Sequence, residues 1–400
     1  MKNFVFISPN FPVNYWQFCR ALRQQGLRVL GVGDAPRESF SAELQAALDD
    51  YRQVSDLSSI GELTDALEGY RQQYGRLDWI ESNNEYWLEQ DAKLRAAFGV
   101  KSGFQPEELP LLRRKSLMKE VYRQAGIPAP RSHVAGNFKD CAAFAAEVGY
   151  PVVIKPDDGH GITDACKLKN DEELAAFLDQ CDPHIPWLME EFVRGEVYSY
   201  DAVIDGEGRP VFETGLVTPM SIIDIVNNND NAIYYVVDRL ADDVRAAGRA
   251  VAAGFGIRSR FVHFEFFRLT RNHPVLGEAG QIVALEAGMC PCGGYALDMM
   301  NYARSTDVYR IWAEMIAGAE TLQEEKPREE TASSSFCAYV GRKAGRRFLI
   351  GHDRLTARYG PRLKLAEQHV SGDSTGQRYI GLFDSRRDMD AFYTEALWCE

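Results

Sequence analysis

The sequence predicts an α/β and α+β protein with a parallel-sheet N-terminal domain, a larger mixed domain and a small C-terminal α/β subdomain. Three observations carry that expectation. A chain of 400 residues, 45% of them hydrophobic, exceeds what one core usually serves, so two or three packed units are expected. The opening alternates apolar strand, amphipathic helix and apolar strand, the repeating unit of a helix-flanked parallel sheet. From about Leu111 the texture changes to short strands, glycine turns and helices.

Taken in order, Asn3 to Ser8 is a continuous apolar run, followed by the loop PNFPVN. Tyr15, Phe18, Cys19 and Leu22 then recur at helical spacing until Gly26 stops them, and Leu27 to Val32 forms the second strand. The loop after the first strand lacks G-x-G-x-x-G, which argues against a dinucleotide site of the Rossmann kind. RRKSLMKEVYRQAG reads as a helix with Ser116 as N-cap and Gly126 as stop, and IPAP forces an extended exit. Asn137 to Val148 is an Ala-rich helix ended by Gly149, and YPVVIKP after it is a buried strand carrying Lys155 near its end. DDGHGITDACKLKND is a glycine loop leading to a short strand, and WLMEEFVRGEVYSYDAVID is a strand, a turn at Gly195 and a strand. A helix over Arg239 to Gly254 precedes RFVHFEFFRL and QIVALEA, which read as a hairpin. TLQEEKPREETASSS reads as a linker to the C-terminal subdomain, and the chain has no internal repeat.

Composition narrows the function. The 58 acidic against 45 basic side chains give a net charge of -13, which would repel a phosphate backbone, so nucleic acid is not an expected partner. No apolar run approaches the ~20 residues of a membrane-spanning helix, and MKNFVFISPNF turns polar too soon for a signal peptide. No membrane partner and a cytoplasmic location are therefore expected. The eight cysteines lack a framework spacing, as reduced thiols would. Cys290 and Cys292 in LEAGMCPCGGY offer two thiolates where zinc wants four ligands, so they read as residues of some other site.

Several residues are of types that an apolar setting rarely tolerates without a use. Lys155 lies in an apolar strand, and Gly159 and Gly161 follow it in a loop able to fold backbone N–H groups over an anion. Strand alternation puts His263, Glu265 and Phe267 on one face, while Glu286 shares a face with Ile282 and Ala284. Two carboxylates in apolar strands need compensation, either from a shared divalent cation or from arginines such as Arg260 or Arg268. His263 reads as a packed or supporting residue.

The order of these features, Lys115, Lys155, Asp158-Gly159-His160-Gly161, Glu190-Glu191-Phe192-Val193, Glu265 and Glu286, resembles the ATP-grasp superfamily over roughly residues 1 to 320. The flanking texts FVHFEFFRL and GGYALDMMNYARSTDVYRIWA resemble carboxylate-amine ligase-like members. The resemblance implies a pre-ATP-grasp domain at 1–110, an ATP-grasp domain at 111–322 with 128–197 as its ATP lid, and a linker and C-terminal subdomain at 323–400. It implies that Lys115, Lys155 and the loop of Asp158, Gly159, His160 and Gly161 hold the phosphates of ATP. Glu190 and the backbone of Glu191 to Val193, around Phe192, would hold the adenine, Glu196 the ribose, and Glu265 and Glu286 a Mg²⁺ or Mn²⁺ ion. Lys155, Glu265 and Glu286 would be the catalytic set. SPNFP and the segment Glu81 to Glu85 would face the substrate.

The implied reaction activates a small carboxylate as an acyl phosphate, which an amine converts to an amide with release of ADP and phosphate. The implied partners are small-molecule carboxylate and amine substrates, with a homodimer as a further expectation. In relatives the second metal glutamate opens E-x-N-x-R followed by two glycines; here Gly288 stands for the Asn and Cys290 for the Arg. Arg268, Arg271 and Arg304 are candidates to replace that arginine. A degenerate member that binds nucleotide without ligating is the alternative.

Overall fold

The computed structural model describes residues 1–159, 165–220, 230–318, 335–368 and 375–399. Strands β1 (Asn3–Ile7), β2 (Arg28–Gly33), β3 (Asp50–Gln53) and β4 (Trp79–Glu81) form a parallel sheet in the order β3-β2-β1-β4. Every residue of β1 is buried, because helices cover both faces. Phe4 and Phe6 pack with the helix Trp16–Gln24, while Val5 and Ile7 point to the helix Ile60–Tyr74. The strand-helix-strand opening is thus as expected.

A second, antiparallel sheet contains β5 (Ser132–Val134), β6 (Val152–Pro156), β7 (Cys166–Leu168) and β8 (Trp187–Glu191), in the order β5-β8-β6-β7. The helices Phe138–Val148 and Asp171–Gln180 cover it with a core of their own. Phe192, Val193 and Arg194 then lead from β8 into β9 (Gly195–Ile204), which lies in a third sheet, so these three residues join two layers.

Among the described residues that third sheet has nine strands. With β10 (Pro210–Thr214) paired to β9, the remaining order runs β14 (Ile282–Gly288), β13 (Arg260–Leu269), β9, β11 (Leu216–Thr218), β12 (Ala232–Val237), β15 (Phe336–Lys343), β17 (Thr375–Phe383) and β16 (Leu363–Gln368). The C-terminal segment is therefore continuous with the central sheet rather than an appendage. Ile233 pairs with Val340 across β12 and β15, and Val217, Ile233 and Tyr235 share a core with Phe392 and Met389. Joining two edges satisfies backbone groups that each would otherwise leave unpaired. The expected linker, apart from Ser335, lies outside the described residues.

Two local expectations are corrected. The helix Lys115–Gln124 has Arg114 at its N-cap, and Ser116 lies inside the first turn. Its exposed N–H groups are capped from another element: Asp157 accepts from Ser116 N at 2.7 Å and from Ser116 Oγ at 2.7 Å, and its carbonyl accepts from Lys115 N at 2.9 Å. In the β13–β14 hairpin a bulge shifts the register, so Glu265 faces Glu286 while Phe266 faces Ala284. The extra residue, Leu285, moves Glu286 off the face of Ile282 and Ala284 and onto that of Glu265.

Gly248, on the helix Asp242–Gly254, lies flat against the ring of buried Tyr200, where a Cβ would overlap ring carbons. Gly248→Ala is expected to destabilise the fold by about 1–3 kcal/mol through overpacking, read as a lower urea midpoint at unchanged slope.

Candidate functional site

A cavity of about 850 Å³ opens between the three sheets, lined by β6, β8, β9, β13, β14 and the loops after β1 and β4. At one end, antiparallel pairing sets Lys155 of β6 close to Glu190 of β8, with Nζ 2.8 Å from Oε2. Lys119, one helical turn beyond Lys115, ion-pairs with the other Glu190 oxygen. Both partners of the first pair are buried. Burial opposes the charge of Glu190, but the two lysines outweigh it and bring its pKa down to about 2. Burial likewise opposes charge on Lys155, and the carboxylates of Glu190, Glu286 and Glu265 overcome it and raise its pKa. For Lys119 burial wins, aided by Lys155, and its pKa falls.

Lys115, also buried, donates from Nζ to the Gly159 carbonyl at 2.8 Å and lies 3.4 Å from Glu286 Oε1. Gly159 has φ +139°, a conformation that side chains rarely adopt. Asp158 is turned away and ion-pairs with Arg113 at 2.9 Å. His160 and Gly161 lie outside the described residues.

Glu191, Phe192 and Val193 line the cavity. The Glu191 side chain is anchored by Arg131 at 2.6 Å, and Lys167 Nζ sits 4.3 Å from the centre of the Phe192 ring. Glu196 is not among the lining residues. Gly195 and Val197 line the wall, and the period of two turns Glu196 to the opposite face, where Tyr198 donates to it at 3.3 Å. The ribose contact expected of Glu196 therefore has no support in its position.

Glu265 and Glu286 face each other across the hairpin and both line the cavity. The arginines that could have neutralised them are engaged elsewhere: Arg260 holds Glu81 at 2.5 Å and Arg268 holds Asp243 at 2.8 Å. Two facing carboxylates, with Lys115 and His263 as their near cations, fit a hard divalent cation that takes oxygen donors. Among the described residues no group of three or more His, Cys, Asp or Glu side chains could hold a metal ion. The pair would thus leave most coordination positions to water and phosphate oxygens, as Mg²⁺ prefers.

The far end is lined by Phe11, Pro12, Tyr15, Asn83, Asn84, Glu85 and the run from Cys290 to Gly294; of the segments expected to face a substrate, Ser8 to Asn10, Glu81 and Ser82 do not line it. None of the three candidate arginines lines the cavity; Arg304 donates to the Glu213 carbonyl at 2.9 Å, and Arg194 is the arginine that does line it. Cys290, at the expected arginine position, donates from Sγ to Glu85 Oε2 at 3.3 Å, and Met289 N donates to the same oxygen at 3.0 Å. Burial and the nearby Glu286 raise the pKa of Glu85.

His263 proves more central than a packing residue. Its Nδ1 is 2.8 Å from Oδ1 of buried Asp201, and its Nε2 is 3.6 Å from Glu265 Oε1. Burial works against its charge, yet Cys292 and Asp201 hold its pKa well above the ordinary value. Lys119, Asp201 and Glu85 were not singled out individually from the sequence. The spacing of four between Lys115 and Lys119 was a readable signal for the first; nothing local marks the others.

The described site can be set beside known proteins. Residues 113–234 match the family model of the ATP-grasp domain. The chain is 34% identical over 128 residues to a D-alanine--D-alanine ligase of Ectopseudomonas mendocina, covering 32% of this chain and 37% of that one. It is 26% identical over 246 residues to the carbamoyl phosphate synthase large chain of Kocuria rhizophila, covering 59% of this chain and 22% of that one. The chain thus spans less than a quarter of the length of that relative. An L-amino acid ligase from Bacillus licheniformis has the same fold, with a TM-score of 0.74 at 15% identity over 100% of this chain and 98% of that one. Among the described residues no helix is long and apolar enough to cross a membrane.

Glu190→Gln removes the carboxylate shared by half-buried Lys119 and buried Lys155, leaving Lys155 only Glu286 and Glu265 as nearby carboxylates, and is expected to cost about 3–5 kcal/mol in urea unfolding at neutral pH. Because folding lowers the pKa of Glu190 from 4.5 to about 2, its stabilisation is complete above pH 4.5 and fades as pH falls toward 2. The difference between variant and wild type should narrow over that window.

Proposed function

Because the chain carries an ATP-grasp domain within the ATP-grasp fold, we propose that it is an ATP-dependent carboxylate-amine ligase acting on small molecules. The observation that carries this reading is the facing pair Glu265 and Glu286, with Lys115 3.4 Å from Glu286, in one cavity that also holds the Lys155–Glu190 pair. Lys155, Lys119 and Lys115 converge from two elements as point charges suited to a triphosphate. Glu190 and Glu286 balance them. The joint at Glu191 to Val193 offers backbone groups to a base. A divalent cation held by Glu265 and Glu286 would supply neutralising charge for phosphate oxygens.

The residues then act by position. The lysines aim the terminal phosphoryl group toward the end lined by Glu85 and Cys290, where a substrate carboxylate would accept it. The three sheets keep water from the acyl phosphate until an amine attacks and ADP and phosphate leave. The side chains around Phe11, Pro12 and Tyr15 give that end a partly apolar wall suited to small organic acids.

One observation favours the alternative of a nucleotide-binding module without turnover: Cys290 occupies the place where the resemblance implies an arginine. The two readings separate on ADP release measured with ATP, Mg²⁺ and a panel of amino acids and small carboxylates. The ligase reading expects substrate-dependent ADP; nucleotide binding without ADP from any member of the panel would sink it. Glu286→Gln is expected to lower turnover by roughly a hundredfold or more. Cys290→Arg separates the readings again: a ligase loses activity as the arginine pairs with Glu85 and fills the substrate end, whereas a degenerate member gains it.

A further inference from the structure

The far end of the cavity carries a charge opposite to the one its place in the site implies. Where the resemblance implies an arginine to hold the substrate the chain has Cys290, and among the described residues lining that end the only charged side chain is Glu85. Arg260, which reaches the Met289 carbonyl, is committed to Glu81. Glu85 Oε2 accepts from Met289 N at 3.0 Å and from Cys290 Sγ at 3.3 Å, whereas among the described residues Oε1 accepts from no protein group. Cys290 thus orients the carboxylate without neutralising it. Asn83, two residues earlier, also lines the cavity. It is only 4% exposed and holds φ +53°, a left-handed conformation that asparagine tolerates better than most side chains. Its carbonyl accepts from the Tyr15 hydroxyl at 2.6 Å, which pins the loop, yet its Nδ2 is buried with no hydrogen-bond partner. A buried donor left unpaired is costly, and a strained backbone that holds one in a cavity wall marks a group meant for a ligand.

From this arrangement we propose that the far end is a subsite for a zwitterion: the acid that is activated is an amino acid whose carboxylate takes the Asn83 amide and whose ammonium group sits on Glu85 Oε1. The proposal rests on the ligase reading for the placing of a substrate carboxylate at this end. A carboxylate brought beside Glu85 without a cation would meet like charge in a cavity walled by Phe11, Pro12 and Tyr15, where solvent screens little. An arginine would cancel that repulsion. Because the chain supplies none, the substrate has to bring the positive charge itself. An α-amino acid carries both charges on one carbon, which suits a donor and an acceptor two residues apart on one pinned loop. Its side chain then meets the apolar wall. Asn83 and Glu85 are specificity residues in this scheme: they select and orient the acid and take no part in making or breaking its bonds.

The test uses the full chain with ATP and Mg²⁺, and hydroxylamine as a common nucleophile. It compares kcat/KM for ADP release between L-amino acids and their des-amino counterparts, alanine with propionate and phenylalanine with 3-phenylpropionate. Each amino acid is expected to exceed its counterpart by roughly a hundredfold or more, because the analogue leaves a polar group of the site unpaired. A counterpart that matches its amino acid overturns the proposal and leaves the ligase reading standing. In Glu85→Gln, checked for folding by its thermal melt, the preference should fall roughly tenfold or more through a higher KM for the amino acid. A folded variant that keeps the wild-type preference overturns the role of Glu85. Cys290→Arg makes the same test with Glu85 itself intact: the guanidinium neutralises the carboxylate, and the residual activity should lose the preference; its retention overturns that role as well. Asn83→Gly, which permits the positive φ, should raise KM for both members of each pair, and an unchanged KM for both overturns the role of Asn83. If no acid yields ADP from the wild type, the ligase reading fails, and equilibrium dialysis of radiolabelled phenylalanine and 3-phenylpropionate with ATP and Mg²⁺ decides the subsite by itself. Tighter binding of phenylalanine upholds it; equal binding, or none, overturns it.

Discussion

The carboxylate of Glu81 lies between two buried guanidinium groups, Arg95 at 2.8 Å and Arg260 at 2.5 Å, and the geometry of the cavity end lined by Cys290 depends on it. Arg95 belongs to the N-terminal domain, where it also donates to the carbonyls of Ile80 and Phe104 at 2.8 and 2.9 Å. Arg260 opens β13 of the central sheet and donates to the Met289 carbonyl at 2.8 Å, just before Cys290. One buried triad therefore ties the parallel sheet, strand β13 that carries Glu265, and the CPC run together. Burial alone would raise the pKa of Glu81, but the two arginines lower it. Removing one member of such a group typically costs about 3–5 kcal/mol, because the remaining charges have no water to turn to.

The same electrostatic logic governs the Lys155–Glu190 end of the cavity with the opposite sign. There the excess is cationic, from buried Lys115 and Lys155 and half-buried Lys119, and Glu190 and Glu286 neutralise it. These pairs are suited to exchange: an incoming phosphate can replace a carboxylate as counter-charge, and the freed carboxylate of Glu286 is then available to a cation. The triad at Glu81 offers no such exchange, since it faces protein on all sides. Rigid charge at one end and exchangeable charge at the other suits the proposed ligase, which would hold a small acid still while a phosphoryl group moves.

Much of this was legible in the sequence where the signal is local. Apolar runs and glycine stops located the parallel sheet, Lys155 in VVIKP and the β13–β14 hairpin, because periodicity follows directly from how side chains project. Errors came where one element answers to another. The cap of the helix Lys115–Gln124 is supplied by Asp157 just beyond β6, so the local pattern pointed to Ser116 instead. The bulge at Leu285 is a property of the pair of strands, invisible in either one. Glu196 lies on the far face of β9 because the strand starts at Gly195, a boundary set by the transition between two sheets.

By itself the sequence determined the kinds of chemistry available: lysines and a glycine loop for phosphates, paired glutamates for a hard cation, and an acidic net charge that disfavours nucleic acid. It also determined their order along the chain, which carries the family resemblance. The tertiary structure decided which charge meets which. Arg260 serves Glu81 and leaves Glu265 and Glu286 facing each other, Lys119 joins Lys155 on Glu190, and Cys290 meets Glu85. The physical reason is that pairing inside a protein is set by distance in a low-dielectric interior, over sequence separations such as the 179 residues between Glu81 and Arg260, which no local pattern encodes.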